Sequence, residues 1–114
     1  MNEKIIDTIN RCNSALSTID TNIISIKEEL MSLDLDIINK EYEIRTQTDF
    51  KGLGLTNKES REAYINNEPE FIELLRKKNS LEIDLLQERS EYERILRILK
   101  LNNRISDYEI RRGD

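Results

Sequence analysis

"TDFKGLGLTNKESREAYINNEPEF", residues 48–71, holds two of the three glycines and the single proline of the chain. How it is read decides the fold. Gly52 and Gly54 permit backbone angles that side chains forbid, so "KGLGL" reads as a chain reversal. Thr56 followed by Glu59 fits a capping box, hydroxyl to the third amide and carboxylate back to the first. A short helix is therefore expected over about 57–65. Asn66 and Asn67 end it, and Pro69 falls in the first turn of the next helix, where a missing N–H does no harm. The stretch is an elbow with its own small helix. Leu53, Leu55, Ala63, Tyr64 and Ile65 are expected to cover the open end of whatever it joins.

Upstream of the elbow the apolar residues fall at Ile5, Ile9, Cys12, Leu16, Ile19, Ile23, Ile26, Leu30, Leu33 and Ile37, then Lys40 and Ile44. The steps alternate four and three without a slip, which is the heptad period of one stripe along one helix. No Gly or Pro interrupts residues 1–51. A continuous helix over about 3–47 follows, roughly 65 Å long at ~1.5 Å per residue. Downstream, Phe71, Leu74, Leu75, Leu81, Leu85, Leu86, Tyr92, Ile95, Leu96 and Leu99 form a wider stripe, drifting to Ile98, Leu101, Ile105 and Tyr108. This predicts a second helix over about 68–110, with the turn and short helix at about 48–66. Lys40, Lys78 and Glu88 interrupt the stripes, and such seam charges can fix register at some cost in stability.

Two helices of similar length joined by an elbow make a long antiparallel hairpin, an all-α coiled coil in one domain spanning 1–114. Pairing positions whose numbers add to about 117 would set Asp20 beside Arg97 and Glu41 beside Arg76. A lone hairpin buries little, so the expectation is a dimer that forms a four-helix bundle. The oligomer seam expected from the heptads is Ile9, Leu16, Ile23, Leu30, Ile37, Leu81, Leu85, Tyr92, Ile95 and Leu99. The first helix carries a second apolar row as well: Ile24, Met31, Leu35, Ile38 and Tyr42. A helix with two apolar faces has neighbours on two sides. Ahead of that row the outer surface is small and uncharged, including Ser14, Ser17 and Thr21. Together these eight residues form a candidate partner face.

Composition narrows the function. Charged residues make up 36% and aromatics 5% of the chain, as in long exposed helices flanking a narrow seam. The net charge of −5 makes duplex nucleic acid an unlikely default partner. With no histidine and only Cys12, no soft ligand set for zinc exists. Cys12 sits in the seam as a small apolar residue. "GLG" lacks the strand and the Lys–Ser/Thr of a phosphate loop. The carboxylates Glu28, Glu29, Asp34, Asp36, Glu41 and Glu43 read as a solvated face rather than acid–base machinery. "MNEKIIDTIN" has no signal-peptide core and no run reaches a membrane span, so a cytoplasmic protein without membrane contact is expected. The closing "RGD", 112–114, reads as a chance match.

One segment favours a different class. Arg94, Arg97, Lys100, Arg104 and Arg111 fall mostly along one side of the second helix, while 20–49 is acidic. This is a candidate nucleic-acid stripe, set against simple intramolecular pairing.

The elbow also resembles a segment of short coiled-coil proteins encoded by tailed bacteriophages. In these a Gly–x–T/N–Asn–x–x–x–Arg–x–Ala run joins two long helices, matched here by Gly54, Thr56, Asn57, Arg61 and Ala63. The resemblance covers about a fifth of the chain and brings no catalytic residues. It implies a phage or prophage origin and a binding role in the host cytoplasm. The resulting expectation is a non-enzymatic protein without cofactor or metal. It associates with itself and binds a protein partner, a host or defence-system protein that it inhibits or adapts. The alternative is an accessory factor in phage recombination or replication that touches nucleic acid through the basic stripe.

Overall fold

A computed structural model describes residues 2–113. Three helices follow in order: α1 (Glu3–Gln47), α2 (Lys58–Asn66) and α3 (Pro69–Arg111). Among the described residues there is no strand. The fold is an all-α helical hairpin. Its contacts divide into two compact units: the elbow unit, Lys27–Ile83, and the terminal unit, Met1–Ile26 with Asp84–Asp114.

In the elbow unit the reversal is a single helical turn with both ends capped. The Asp49 carboxylate accepts from Gly52 N at 2.9 Å, and Leu53 N donates to Asp49 O at 3.1 Å. Gly54 closes the turn at φ +75°, donating to Lys51 O at 3.1 Å, while Leu55 N donates to Phe50 O at 2.8 Å. That pair of bonds is a Schellman stop, whose left-handed residue favours glycine. A Cβ at Gly52 would lie 2.3 Å from Asp49 Oδ2, so here glycine is needed for close approach. The short helix starts one residue later than the capping box implied. Asn57, not Thr56, is its N-cap, accepting from Ser60 N at 2.7 Å. Asparagine is at least as good a cap as threonine, and the two compete as neighbours. Asn67 ends α2, and Glu68 caps α3 by accepting from Phe71 N at 2.8 Å.

These turns bring Ile44, Ile65 and Phe71 into one core, with Ile37 and Phe50 packed against it. Ile65 is 1% exposed, the most enclosed side chain described. The Phe50 ring meets Tyr64 edge-on at 5.8 Å, and the Arg61 guanidinium lies over its face at 5.8 Å. Of the five residues expected to cover the seam, only Ile65 is buried and Leu55 half-buried; Leu53, Ala63 and Tyr64 are exposed. Phe50 takes their place, because the capped turn folds it back over the end of α1.

In the terminal unit the N-terminal half of α1 packs on the C-terminal half of α3. Cys12, Ile19 and Ile95 are its buried core, joined by Ala15, Leu16, Ile23, Tyr92, Ile98 and Leu99. Asn2 caps α1, its side chain accepting from Lys4 N at 2.8 Å. Beyond Ile98, which packs on this core, the apolar drift along α3 does not steer the packing. The buried line runs 92, 95, 99, 102 and 106, keeping the heptad through Asn102 and Ser106, while Leu101, Ile105 and Tyr108 point outward. A straight helix holds its period even where hydropathy leaves it, provided the polar side chains are satisfied. Asn102 donates to Ile98 O at 2.8 Å, and Ser106 is buried with a partner. Leu75 and Leu86 likewise fall outside the seam and are exposed.

The register also differs from the expected one. In the elbow unit Lys40 bonds Glu70, and Lys78 bonds Asp34 at 2.9 Å. In the terminal unit Asn22 donates to Glu88 at 3.4 Å. These pairs have numbers adding to 110–112 rather than 117. Arg97 makes no ion pair with Asp20, and Glu41 pairs with Arg45 one turn along its own helix rather than with Arg76. At the expected register Lys40 would face Lys77 and Glu88 would face Glu29. The three polar interruptions of the seam select the register that gives each a partner, whereas exposed pairs such as Asp20–Arg97 count for little.

Candidate functional site

At about 100° per residue, 24, 31, 35, 38 and 42 lie on the side of α1 turned about 150° from its seam. Ile24, Met31, Leu35, Ile38 and Tyr42 are 58–70% exposed there. The residues buried on the other side of the same helix include Ile5, Cys12, Ile19, Leu33 and Ile44. Ser14, Ser17 and Thr21 continue the outer face toward the N-terminus and are exposed too. There the hydroxyls are partly spent on α1 itself: Thr21 donates to Ser17 O and Thr18 to Ser14 O, both at 3.1 Å. In the terminal unit the candidate partner face is polar up to Thr21, whose hydroxyl bonds its own helix, and then bare at Ile24; in the elbow unit it is the bare apolar run Met31, Leu35, Ile38 and Tyr42.

The ten seam positions hold the hairpin itself together. Leu16, Ile23, Tyr92, Ile95 and Leu99 belong to the terminal core, and Ile37 packs on the elbow core. Ile9, Leu30, Leu81 and Leu85 are half-buried at the same heptad positions. Of the ten, Ile95 is buried, at 8% exposed, and the others are half-buried. The line Ile9, Leu16, Ile23, Leu30, Ile37 therefore keeps one edge open to solvent within the hairpin.

On α3, Arg97, Lys100, Arg104 and Arg111 are exposed and make no ion pair among the described residues. Arg94 differs, donating from Nε to Glu91 at 2.9 Å, which holds the Glu91 carboxyl below the usual carboxylate range. Intramolecular pairing thus accounts for one cation of the stripe and leaves four bare. Arg112 lies over Tyr108 at 5.6 Å; Asp114, the end of "RGD", lies outside the described residues.

The strongest polar geometry sits at the elbow. Lys40, with a side chain 16% exposed, is held above the usual lysine range by its hydrogen bond to Glu70, and that bond lowers Glu70. Arg45 donates to Glu62 and Glu41, both at 2.7 Å, tying α1 to α2. In each of these links one cation serves two carboxylates, Lys40 meeting Glu43 as well as Glu70 and Arg45 meeting Glu41 and Glu62. The concavities are open grooves along the hairpin, such as the one between Leu33 and Leu81 flanked by Glu29, Asp36 and Lys77. Among the described residues no three His, Cys, Asp or Glu side chains gather as a metal set. Nor is any described helix long and apolar enough to cross a membrane.

No family model, curated protein or solved structure matches this chain. What the geometry offers is faces: one apolar, one cationic, and a half-open seam.

The bare apolar row was visible in the sequence as a second heptad. Phe50 and the caps Asn57 and Glu68 were not. Phe50 lies among glycines outside any period. Its signal was the Asp49–Gly52 pairing, an aspartate three residues ahead of a glycine at a helix-like turn.

Proposed function

We propose that this chain is a non-enzymatic coiled-coil protein that associates with itself and binds a protein partner. The observation that carries the reading is the row Met31, Leu35, Ile38 and Tyr42, bare on a helix whose opposite side is packed. Contiguous apolar surface of this kind marks contact sites in soluble proteins. The open edge of the seam supports self-association as well, in the manner of a four-helix bundle. A phage-encoded protein that inhibits or adapts a host or defence-system protein in the bacterial cytoplasm fits the elbow's resemblance. Light scattering on the unmodified chain over a range of concentrations tests the self-association. A mass above the 13.5 kDa of one chain is expected, and a constant 13.5 kDa overturns that part of the reading.

A second reading rests on the four unpaired cations of the α3 stripe, Arg97, Lys100, Arg104 and Arg111. It makes the protein an accessory factor that touches DNA or RNA during phage recombination or replication. Titration with single- and double-stranded oligonucleotides decides it. Binding at low salt that fades as salt rises supports it, and no binding at low salt removes it.

A further inference from the structure

In the terminal unit the outward side of α3 carries two rows. At about 100° per residue, Arg97, Lys100, Arg104 and Arg111 fall within an arc of about 60°, and Leu101, Ile105 and Tyr108 within a neighbouring arc of similar width. All seven are exposed, on the side of α3 turned away from the buried Ile95 and Ser106. Two further arginines close the apolar row at its ends. Arg94 bonds Glu91 at 2.9 Å, and Arg112 lies over the Tyr108 ring at 5.6 Å while donating to its hydroxyl at 3.1 Å. In a chain of net charge −5, the segment 94–112 thus holds six cations against Asp107 and Glu109. Glu109 accepts from Asn2 N at 3.5 Å, and Asp107 stands at the outer edge of the cation row.

Cations along one side and an apolar shelf along the other suit a ligand divided in the same way. A duplex presents its phosphates but keeps its base faces stacked, so Leu101, Ile105 and Tyr108 would gain nothing from it. A partner helix would need an apolar row sustained over about three heptads. This row ends after two turns, at an arginine on either side. A single strand offers both halves. Its phosphates suit the cations, and its unstacked bases suit an apolar surface with one aromatic ring.

We infer that the outward face of α3 from Arg97 to Arg112 docks single-stranded nucleic acid, with phosphates along Arg97, Lys100, Arg104 and Arg111 and bases against Leu101, Ile105 and Tyr108. The inference rests on the second reading above and names the strand form that this face takes.

Fluorescence anisotropy on the full chain tests it, with a labelled single-stranded oligonucleotide, its duplex and a polyglutamate peptide as probes. At low salt the single strand should bind at least ~10-fold more tightly than either of the others. Four neutralised phosphates predict a log–log salt slope near −0.7 for each, an overall loss of about 50-fold from about 50 to about 200 mM salt. Arg104→Ala should flatten that slope by about 0.7. Tyr108→Ala should weaken the single strand about tenfold with helix content unchanged, since the side chain is 60% exposed, and Tyr108→Phe, which keeps the ring, should bind like wild type. A duplex bound as tightly as the single strand, or Tyr108→Ala at wild-type affinity, overturns the inference while the nucleic-acid reading stands. Polyglutamate bound as tightly as the single strand marks a surface for acidic protein and overturns it as well. No binding of either nucleic acid at low salt sinks this inference and that reading together.

Discussion

The elbow unit and the terminal unit use the same two helices and differ in how firmly their sequence specifies the packing. Around the elbow, Ile65 is enclosed, both ends of α2 and the start of α3 are capped, and Lys40, Arg45 and Lys78 each bond a carboxylate on another element. In the terminal unit the core is Cys12, Ile19 and Ile95, the seam runs on through Asn102 and Ser106, and the polar contacts between the two helices include Asn22–Glu88 at 3.4 Å and Asn2–Glu109 at 3.5 Å. Apolar side chains there are spread over two sides of α3, with Leu101 and Tyr108 near 60% exposed. One heptad can thus be locked at one end by geometry and merely aligned at the other by period.

The sharpest way to break this contrast is Ile65→Ala. Removing the most enclosed side chain should cost about 2–5 kcal/mol, and hydrogen exchange should then show amides around 44–71 losing protection while those of 12–19 keep theirs. Uniform loss across both units would mean they melt as one and the distinction is empty. Gly54→Val forces a β-branched residue into φ +75°, at about 1–2 kcal/mol, read as a lower urea midpoint. Asn57→Ala should cost about 0.5–2 kcal/mol through the lost cap, whereas Thr56→Ala should leave the midpoint in place. The reverse ranking would restore the capping box at Thr56.

The smallest effect is on acid response. The Glu70 and Glu91 carboxyls are held below the usual range by Lys40 and Arg94, so the folded state binds protons less readily than the unfolded one. Their contribution is fully present above the ordinary Glu value of 4.5 and is lost as pH falls through the depressed folded values. A melting series from pH 6 to pH 3 should decline in that acid window. Glu70→Gln should flatten the decline at the elbow, and an unchanged slope would show that the pair contributes nothing.

Much of this architecture was legible in spacing alone. Twelve heptad positions from Ile5 to Ile44 predicted the seam of α1, and the helix limits fell at Glu3 and Gln47 as expected, because a sustained period tolerates single polar residues such as Lys40. On α3 hydropathy and period separate after Leu99, and following the apolar residues led away from the buried line. The expected register came from matching positions that add to about 117, which left out the charges inside the seam, the ones with something to lose. The outer row of α1 could be seen as a second face from its steps. That its polar extension spends hydroxyls on its own backbone required coordinates.

The capped turn at Asp49–Leu55 has a kinetic consequence. Bonds between elements span 17 residues for Arg45–Glu62, 30 for Lys40–Glu70, 66 for Asn22–Glu88 and 107 for Asn2–Glu109. Closing the longest loop first costs the most entropy; starting at the turn, each new layer lengthens the closed loop by only a few residues. Folding should therefore nucleate at the bend and zip outward, with the chain ends joining last. During synthesis the first helix emerges well before the segment that will cover it, so its seam side stays naked until the ribosome has passed Pro69.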